Sequence, residues 1–430
     1  MKKVKEGYKM TELGEIPNDW RVKSIGEIFE FSGGLSISRA KLTDKGVNYL
    51  HYGDIHMRNE NYIDTEKDEA WLPKIEDKFE EIKENVKLNS GDVVFADASE
   101  DYEGIGKSVA IFNDFEKPFV AGLHTIVAKD INNQLDKNYK RYCFSTNEVR
   151  KQFRYLAVGT SVYGISRENI KKIKINIPTI KEQQKIASIL STVDEQIDNV
   201  DALIEKNKEL KKGLMQTLLT KGIGHTKFKK TEIGEIPEEW EVKELDLIGE
   251  IITGSTPKTS EKDNYGNEYL WVSPGDLGIK KYVTNTVKML SDKGFSKTRK
   301  LPKGAILVTC IGSTIGKMGI SKTELSTNQQ INSIICNDKV NSEFIYYALN
   351  YNFNMYTSFI STQAVPIINK TTFGKFLIQV PNIREQIRIV SILSEVDEKI
   401  EEHENKKKKL EELKKGLMQQ LLTGMIRVTV

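Results

Sequence analysis

The strongest constraint on the fold is that this chain carries nearly the same frame twice. The segment TELGEIPNDW, Thr11 to Trp20, returns as TEIGEIPEEW, Thr231 to Trp240. Lys181 to Thr220 returns as Arg384 to Thr423, with 23 of 40 positions identical and no gap, where chance would give about two or three. Between the repeated pieces lie two segments that barely resemble one another. A kept frame around diverged inserts points to one scaffold presenting two different recognition surfaces.

The repeat divides the chain into an arm (1–20), a first insert (21–178), a first helix (179–222), a linker with the repeated arm (223–240), a second insert (241–381) and a second helix (382–424). Pro178 and Pro381 stop the preceding strand and let the chain turn, and Gly222, Gly224 and Gly424 are C-cap signals. Each helix opens with apolar residues spaced alternately by three and four: Ile186, Leu190, Val193, Ile197, Val200 and Ile204, then Ile389, Leu393, Val396 and Ile400. That spacing is a coiled-coil seam. It falters at Asn207 and Lys211, or His403 and Lys407, and is expected to resume at Leu210, Leu214 and Leu218, matched by Leu413, Leu417 and Leu421.

Two near-copies with a narrow seam pack most simply on each other. Paired antiparallel, they predict a rod of about 60 Å at 1.5 Å per residue, with one insert toward each end. Trp20 and Trp240, with Ile16 and Ile236, are assigned to packing of the arms against helix ends rather than to stacking on bases. Within the inserts, DVVFAD (Asp92 to Asp97), SVAIF (Ser108 to Phe112), AILVTC (Ala305 to Cys310) and INSIIC (Ile331 to Cys336) predict strands. Helical stretches are expected near Tyr139 to Tyr155 and Ser342 to Phe359. The expected class is α+β: two mixed α/β inserts joined by two long antiparallel helices forming a coiled coil, in a pseudo-twofold internal repeat.

At 430 residues the chain can form two or three domains, each with its own core. The net charge of +3, with the first insert near neutral and the second about +4, means that a DNA-binding surface would have to be a local basic patch. No apolar run of about 18 residues predicts a membrane span, and the basic N-terminus lacks the apolar stretch of a signal peptide. Cys143, Cys310 and Cys336 lie far apart without CxxC spacing and read as small buried hydrophobes in a reducing, cytoplasmic setting. Neither a metal nor a cofactor is expected.

GIGKS (Gly104 to Ser108) looks like a phosphate loop, yet Asp101 stands where the first glycine is required and a strand, not a helix, follows. GSTIGKM (Gly312 to Met318) has the same setting. Both read as hairpin turns, leaving Lys107 and Lys317 as candidates for a phosphate of DNA. The chain holds no GxSxG, HExxH or base-flipping NPPY motif, and its five histidines lack metal spacing. Catalysis is therefore not expected. What remains is a loop-borne polar set suited to base edges: Ser32, Ser36, Arg39, Tyr52, His56 and Arg58 in the first insert, and Ser255, Thr256, Lys258, Ser273, Asn328, Gln329 and Gln330 in the second. Arg and Lys suit guanine, and Asn and Gln suit adenine, in the major groove. Each alone reads as an exposed loop residue; together, SGGLS and TGSTP, and YGDI and SPGDL, fall at matching places after the arm. The tetralysine Lys406 to Lys409 reads as a solvated helix face.

With the repeated arms, the helix openings KEQQKIASILSTVDEQID and REQIRIVSILSEVDEKIE, and the endings KKGLMQTLLT and KKGLMQQLLT, the chain resembles the specificity subunit of Type I restriction-modification systems over essentially its whole length. The resemblance implies two target recognition domains, each reading one half of an asymmetric bipartite site in double-stranded DNA. It implies that the helices set the spacing and dock two modification subunits, which bring S-adenosylmethionine and flip the target adenine, and that restriction subunits join through those. The chain itself would be non-catalytic. The competing class is a protein-interaction scaffold whose inserts bind peptides or proteins, which the near-neutral charge favours.

Overall fold

A computed structural model describes residues 4–360 and 366–429, the side chain of Phe359 excepted. The chain forms two compact units, residues 1–200 with 406–430, and residues 201–405. Both boundaries fall inside the long helices, so each unit takes the first half of one helix and the second half of the other.

In the first unit the central sheet has five strands: β1 (Phe29–Gly33), β2 (Tyr62–Asp64), β3 (Val93–Ala96), β4 (Ser108–Phe112) and β5 (Thr125–Asp130). Their order across the sheet is β1-β5-β3-β4-β2, with every pair antiparallel except β4 and β2. The long helix α1 (Ile180–Thr220) follows the first insert. The second unit repeats this sheet with β6 (Gly249–Thr253), β7 (Tyr282–Val283), β8 (Ile306–Thr309), β9 (Met318–Ser321) and β10 (Ile331–Cys336), in the order β6-β10-β8-β9-β7. Again only the last pair, β9 with β7, is parallel. The second long helix, α2, spans Ile383–Leu422.

Both sheets are buried on two faces, which explains why their strands read as unbroken apolar runs. In β3, Val93 and Phe95 face one core with Phe144, Phe153, Ile186, Leu190, Leu421 and Leu422. Val94 and Ala96 face a second core with Ile63, Val109, Ile111 and Phe119. The same alternation divides β8, where Ile306 and Val308 join Leu218, Leu219, Ile389 and Leu393, while Leu307 joins Val272, Leu301 and Leu325. Cys143 and Cys310 are buried and Cys336 is partly buried.

Each insert enters and leaves through one antiparallel ladder, Arg21–Ser24 with Lys174–Ile177 and Glu241–Glu244 with Leu377–Val380. A segment whose ends lie side by side can diverge without disturbing its frame. The arms are hairpins, Tyr8–Thr11 with Gly14–Pro17 and Phe228–Thr231 with Gly234–Pro237. Each ends in a fully buried tryptophan that bonds the first turn of a long helix: Trp20 Nε1 donates to Glu182 Oε2 at 3.0 Å and Trp240 Nε1 to Glu385 Oε2 at 3.1 Å. The other Glu182 oxygen accepts from Arg427 Nε at 2.7 Å, whereas its Glu385 counterpart lies 2.9 Å from His225 Nε2.

Within each unit the helix halves run antiparallel. In the first, Glu182 faces Arg427 and Asp194 faces Lys414; in the second, Lys211 faces Asp397 and Ile223 N donates to Glu385. The seam departs from expectation in its second half, because Leu210 and Leu413 are 50% and 49% exposed. Counting on by threes and fours from Ile204 and Ile400 places Lys211 and Lys414, not those leucines, on the inner stripe. Both lysines satisfy their charge there by pairing across the helices.

Candidate nucleic-acid interface

The loops that carry the polar candidates gather at one end of each central sheet. In the first unit loops follow β1 (Ser36, Arg39), link β3 to β4 (Lys107) and lead into β5; in the second they follow β6 (Ser255, Thr256, Lys258), link β8 to β9 (Lys317) and lead into β10 (Asn328, Gln329, Gln330). Tyr52, His56 and Arg58 lie on or just after a short helix between β1 and β2, and Ser273 caps the turn Pro274–Asp276. Glycines close the packing at both edges. A Cβ on Gly34 would stand 1.8 Å from the Gly122 carbonyl, and one on Gly254 would stand 2.1 Å from the Asn328 carbonyl.

The short helix Tyr52–Met57 is capped reciprocally. Its Gly53 N donates to His51 Nδ1 at 3.1 Å, and His51 N donates to Asp54 Oδ2 at 3.1 Å. Burial lowers the His51 pKa and raises that of Asp54. Arg39, an exposed side chain, leans on Asp54 at 3.6 Å. The Tyr52 ring touches those of His51, His56 and His124, with centroids 4.5, 6.1 and 5.3 Å away. His56 Nε2 lies 2.8 Å from the Ala98 carbonyl. Arg39, Tyr52 and His56 are thus brought together, and Ser36, shortly before Arg39 in the chain, is exposed.

Three other candidates of the first insert are engaged inside it. Ser32 Oγ donates to the Asn85 carbonyl. Arg58 pairs with Asp68 at 2.9 Å and Glu60 at 3.3 Å and lies over Trp71. Lys107 Nζ donates to the carbonyls of His56, at 3.1 Å, and Arg58, and burial pulls its pKa down. The turn before it is braced by Arg150, which donates to the Glu103, Ile105 and Gly106 carbonyls, its pKa lowered to about 10 chiefly by burial. Gly106 has φ +65° and rests on Phe153, so that turn and strand, rather than a phosphate cradle, define the segment.

In the second unit Thr256 is tied to Gln329. Gln330 N donates to Asn328 Oδ1 and Asn328 Nδ2 donates to Gln330 Oε1, both at 3.0 Å. Ser255 accepts from Trp271 Nε1 through its carbonyl at 3.1 Å, and from Arg299 N through its hydroxyl at 3.0 Å. Ser273 bonds Asp276 at 2.7 Å in a capping box equivalent to that of His51 and Asp54. Lys258 is exposed, as is Lys317, whose stem passes Gly278.

Sequence reasoning passed over His124 and Asp97, whose Nδ1 and Oδ1 atoms are 3.1 Å apart, and Arg299, whose Nη1 donates to the Thr253 carbonyl at 2.7 Å. Nothing local marks them; strand pairing brings them to the loop edge.

Among the described residues, no cluster of three or more His, Cys, Asp or Glu side chains could hold a metal ion. In the same residues no helix is long and apolar enough to cross a membrane.

A family model described as the Type I restriction modification DNA specificity domain matches residues 17–210 and 237–412. A protein of Methanocaldococcus jannaschii named as the specificity subunit of type I restriction enzyme MjaX is 31% identical, over 98% of this chain and 97% of its own length. The HindI specificity subunit of Haemophilus influenzae is 24% identical, over 95% of this chain and all of its own. In fold, the chain is similar to the S subunit of the M. genitalium Type I system, with a TM-score of 0.60 at 16% identity, covering 98% of this chain and 100% of that one. By its twice-matched domain and its full-length relatives, the chain belongs to the family of Type I restriction-modification DNA specificity subunits.

Proposed function

We propose that each unit reads one half of an asymmetric, split DNA site through the loop edge of its central sheet, in the major groove. The two long helices set the interval left unread and dock two modification subunits, through which restriction subunits join. The chain is an addressing subunit acting in the cytoplasm and makes or breaks no covalent bond of DNA itself.

One observation carries this reading: the two sheets share order and register, while the residues at their loop edges differ. A common frame with unlike edges suits two unlike half-sites. Binding should also weaken steeply as salt rises, because phosphate contacts release counterions.

The test is to exchange residues 21–178 for the first insert of another family member and map methylated adenines across the host genome. One half of the methylated motif should change while the other stays. A change in both halves would refute the modular reading.

A further inference from the structure

The shared register assigns His124 and Gln330 to the same place in the two sheets. Asp97 N donates to the His124 carbonyl at 3.1 Å, one step beyond the Thr125↔Ala96 pair of β5 and β3. Cys310 N donates to the Gln330 carbonyl at 2.8 Å, one step beyond the Ile331↔Thr309 pair of β10 and β8. The backing is equivalent too: Gly34 N donates to the Thr125 carbonyl at 3.1 Å and Gly254 N to the Ile331 carbonyl at 3.0 Å.

We propose that these two positions are paired base-reading positions of opposite hydrogen-bond polarity, His124 for one half-site and Gln330 for the other. The inference rests on the reading that each sheet edge faces a half-site, and it names the side chain that discriminates there.

His124 is held for such a role. Its backbone has φ +55°, a region that non-glycine residues seldom occupy without support. The support is a locked turn, with Thr125 Oγ1 donating to the Gly122 carbonyl at 2.6 Å and Leu123 N to Tyr49 Oη at 2.7 Å. The imidazole is half-exposed, flanked by the Tyr52 ring and held by Asp97. A carboxylate only accepts, so Nδ1 carries the proton, and in the neutral ring Nε2 of this half-exposed side chain is left as an acceptor. It suits a base that offers a donor in the major groove, adenine through N6 or cytosine through N4.

Gln330 is oriented the other way. Its own N–H fixes Asn328 Oδ1, which turns Asn328 Nδ2 toward Gln330 Oε1. That leaves the Gln330 Nε2 hydrogens to donate to an acceptor, such as guanine O6 or thymine O4.

The experiment uses the full chain assembled with its modification subunits, a duplex library randomised in sequence, and methylation mapping of wild type and variants. Asn tolerates the left-handed backbone, so His124→Asn keeps the turn and changes the reader; Asp97→Asn keeps the ring and removes the carboxylate that sets its tautomer. Each should reduce discrimination at one position of one half-site by roughly tenfold to a hundredfold and leave the other half unchanged. Gln330→Ala should do so in the other half alone. Thermal melting of each complex separates loss of reading from loss of fold, and the partly exposed Asp97 site keeps the test open if position 124 proves structural. A wild-type split motif left unaltered by both His124→Asn and Asp97→Asn, in folded complexes, overturns the inference and leaves the functional reading standing. A wild-type chain with no split motif overturns that reading and the inference with it.

Discussion

Lys414 of α2 reaches Asp194 of α1 at 2.6 Å, and Lys211 of α1 reaches Asp397 of α2 at the same distance. Each aspartate also binds its own recognition domain. Asp194 accepts from Tyr142 Oη at 2.6 Å and Arg141 Nη2 at 3.0 Å, and Asp397 accepts from Tyr347 Oη at 2.5 Å. One carboxylate thus joins two helices and a sheet domain.

Asp194→Asn would strand Arg141 and Lys414 in a largely buried setting. We expect a loss of about 3 kcal/mol, read from chemical denaturation. A double-mutant cycle between Asp194 and Lys414 should give a coupling of roughly 0.5–3 kcal/mol. Additive effects would show that the pair does not tie the helices.

The arms predict a second outcome. Trp240→Ala should cost about 3–5 kcal/mol by opening a cavity between arm and helices, seen as a lower melting temperature. Trp240→Phe retains most of the volume but removes the donor to buried Glu385, with a loss of about 1–3 kcal/mol. A Trp240→Ala chain of unchanged stability but relaxed sequence choice would return this residue to base stacking.

Lys107 and Lys317 stand at equivalent sheet positions, the first bonded to the His56 and Arg58 carbonyls and the second exposed. Lys317→Ala should lower the slope of log affinity against log salt by about one and weaken all sequences alike. Lys107→Met should leave that slope as it was and instead destabilise its domain by roughly 1–3 kcal/mol, since two carbonyls lose their donor. Titrations of DNA binding over a range of salt decide between them.

The His51 cap makes the first recognition domain sensitive to acid. Burial holds this imidazole below its ordinary value of 6.5, so the unfolded chain binds the proton first as pH falls. Stability should therefore be level above about pH 6.5 and decline on acidification below it. Asp54, held above 3.8 by burial, acts with the opposite sign at lower pH. His51→Asn, which keeps a capping acceptor, should flatten the decline; denaturation midpoints on either side of about pH 6.5 measure it.

The repeat, the helix limits and the main strands were legible in the chain because each rests on local signals. The helices are spelled by apolar spacing, and strands such as Val93–Ala96 by unbroken apolar runs between turns. The direction of loop side chains was less legible. Arg58 and Lys107 look like free cations in sequence, yet Asp68 and the His56 carbonyl turn them inward.

By itself, then, the sequence determined a duplicated frame, two long amphipathic helices, two β-rich inserts and the family. Tertiary structure alone decided that each compact unit borrows half of either helix, that Lys211 and Lys414 complete the seam as ion pairs, and that His124 and Gln330 occupy one shared position. The reason is physical. Periodicity is set by neighbours a turn or a pleat apart, whereas these relationships depend on strand register and helix pairing between residues far apart along the chain.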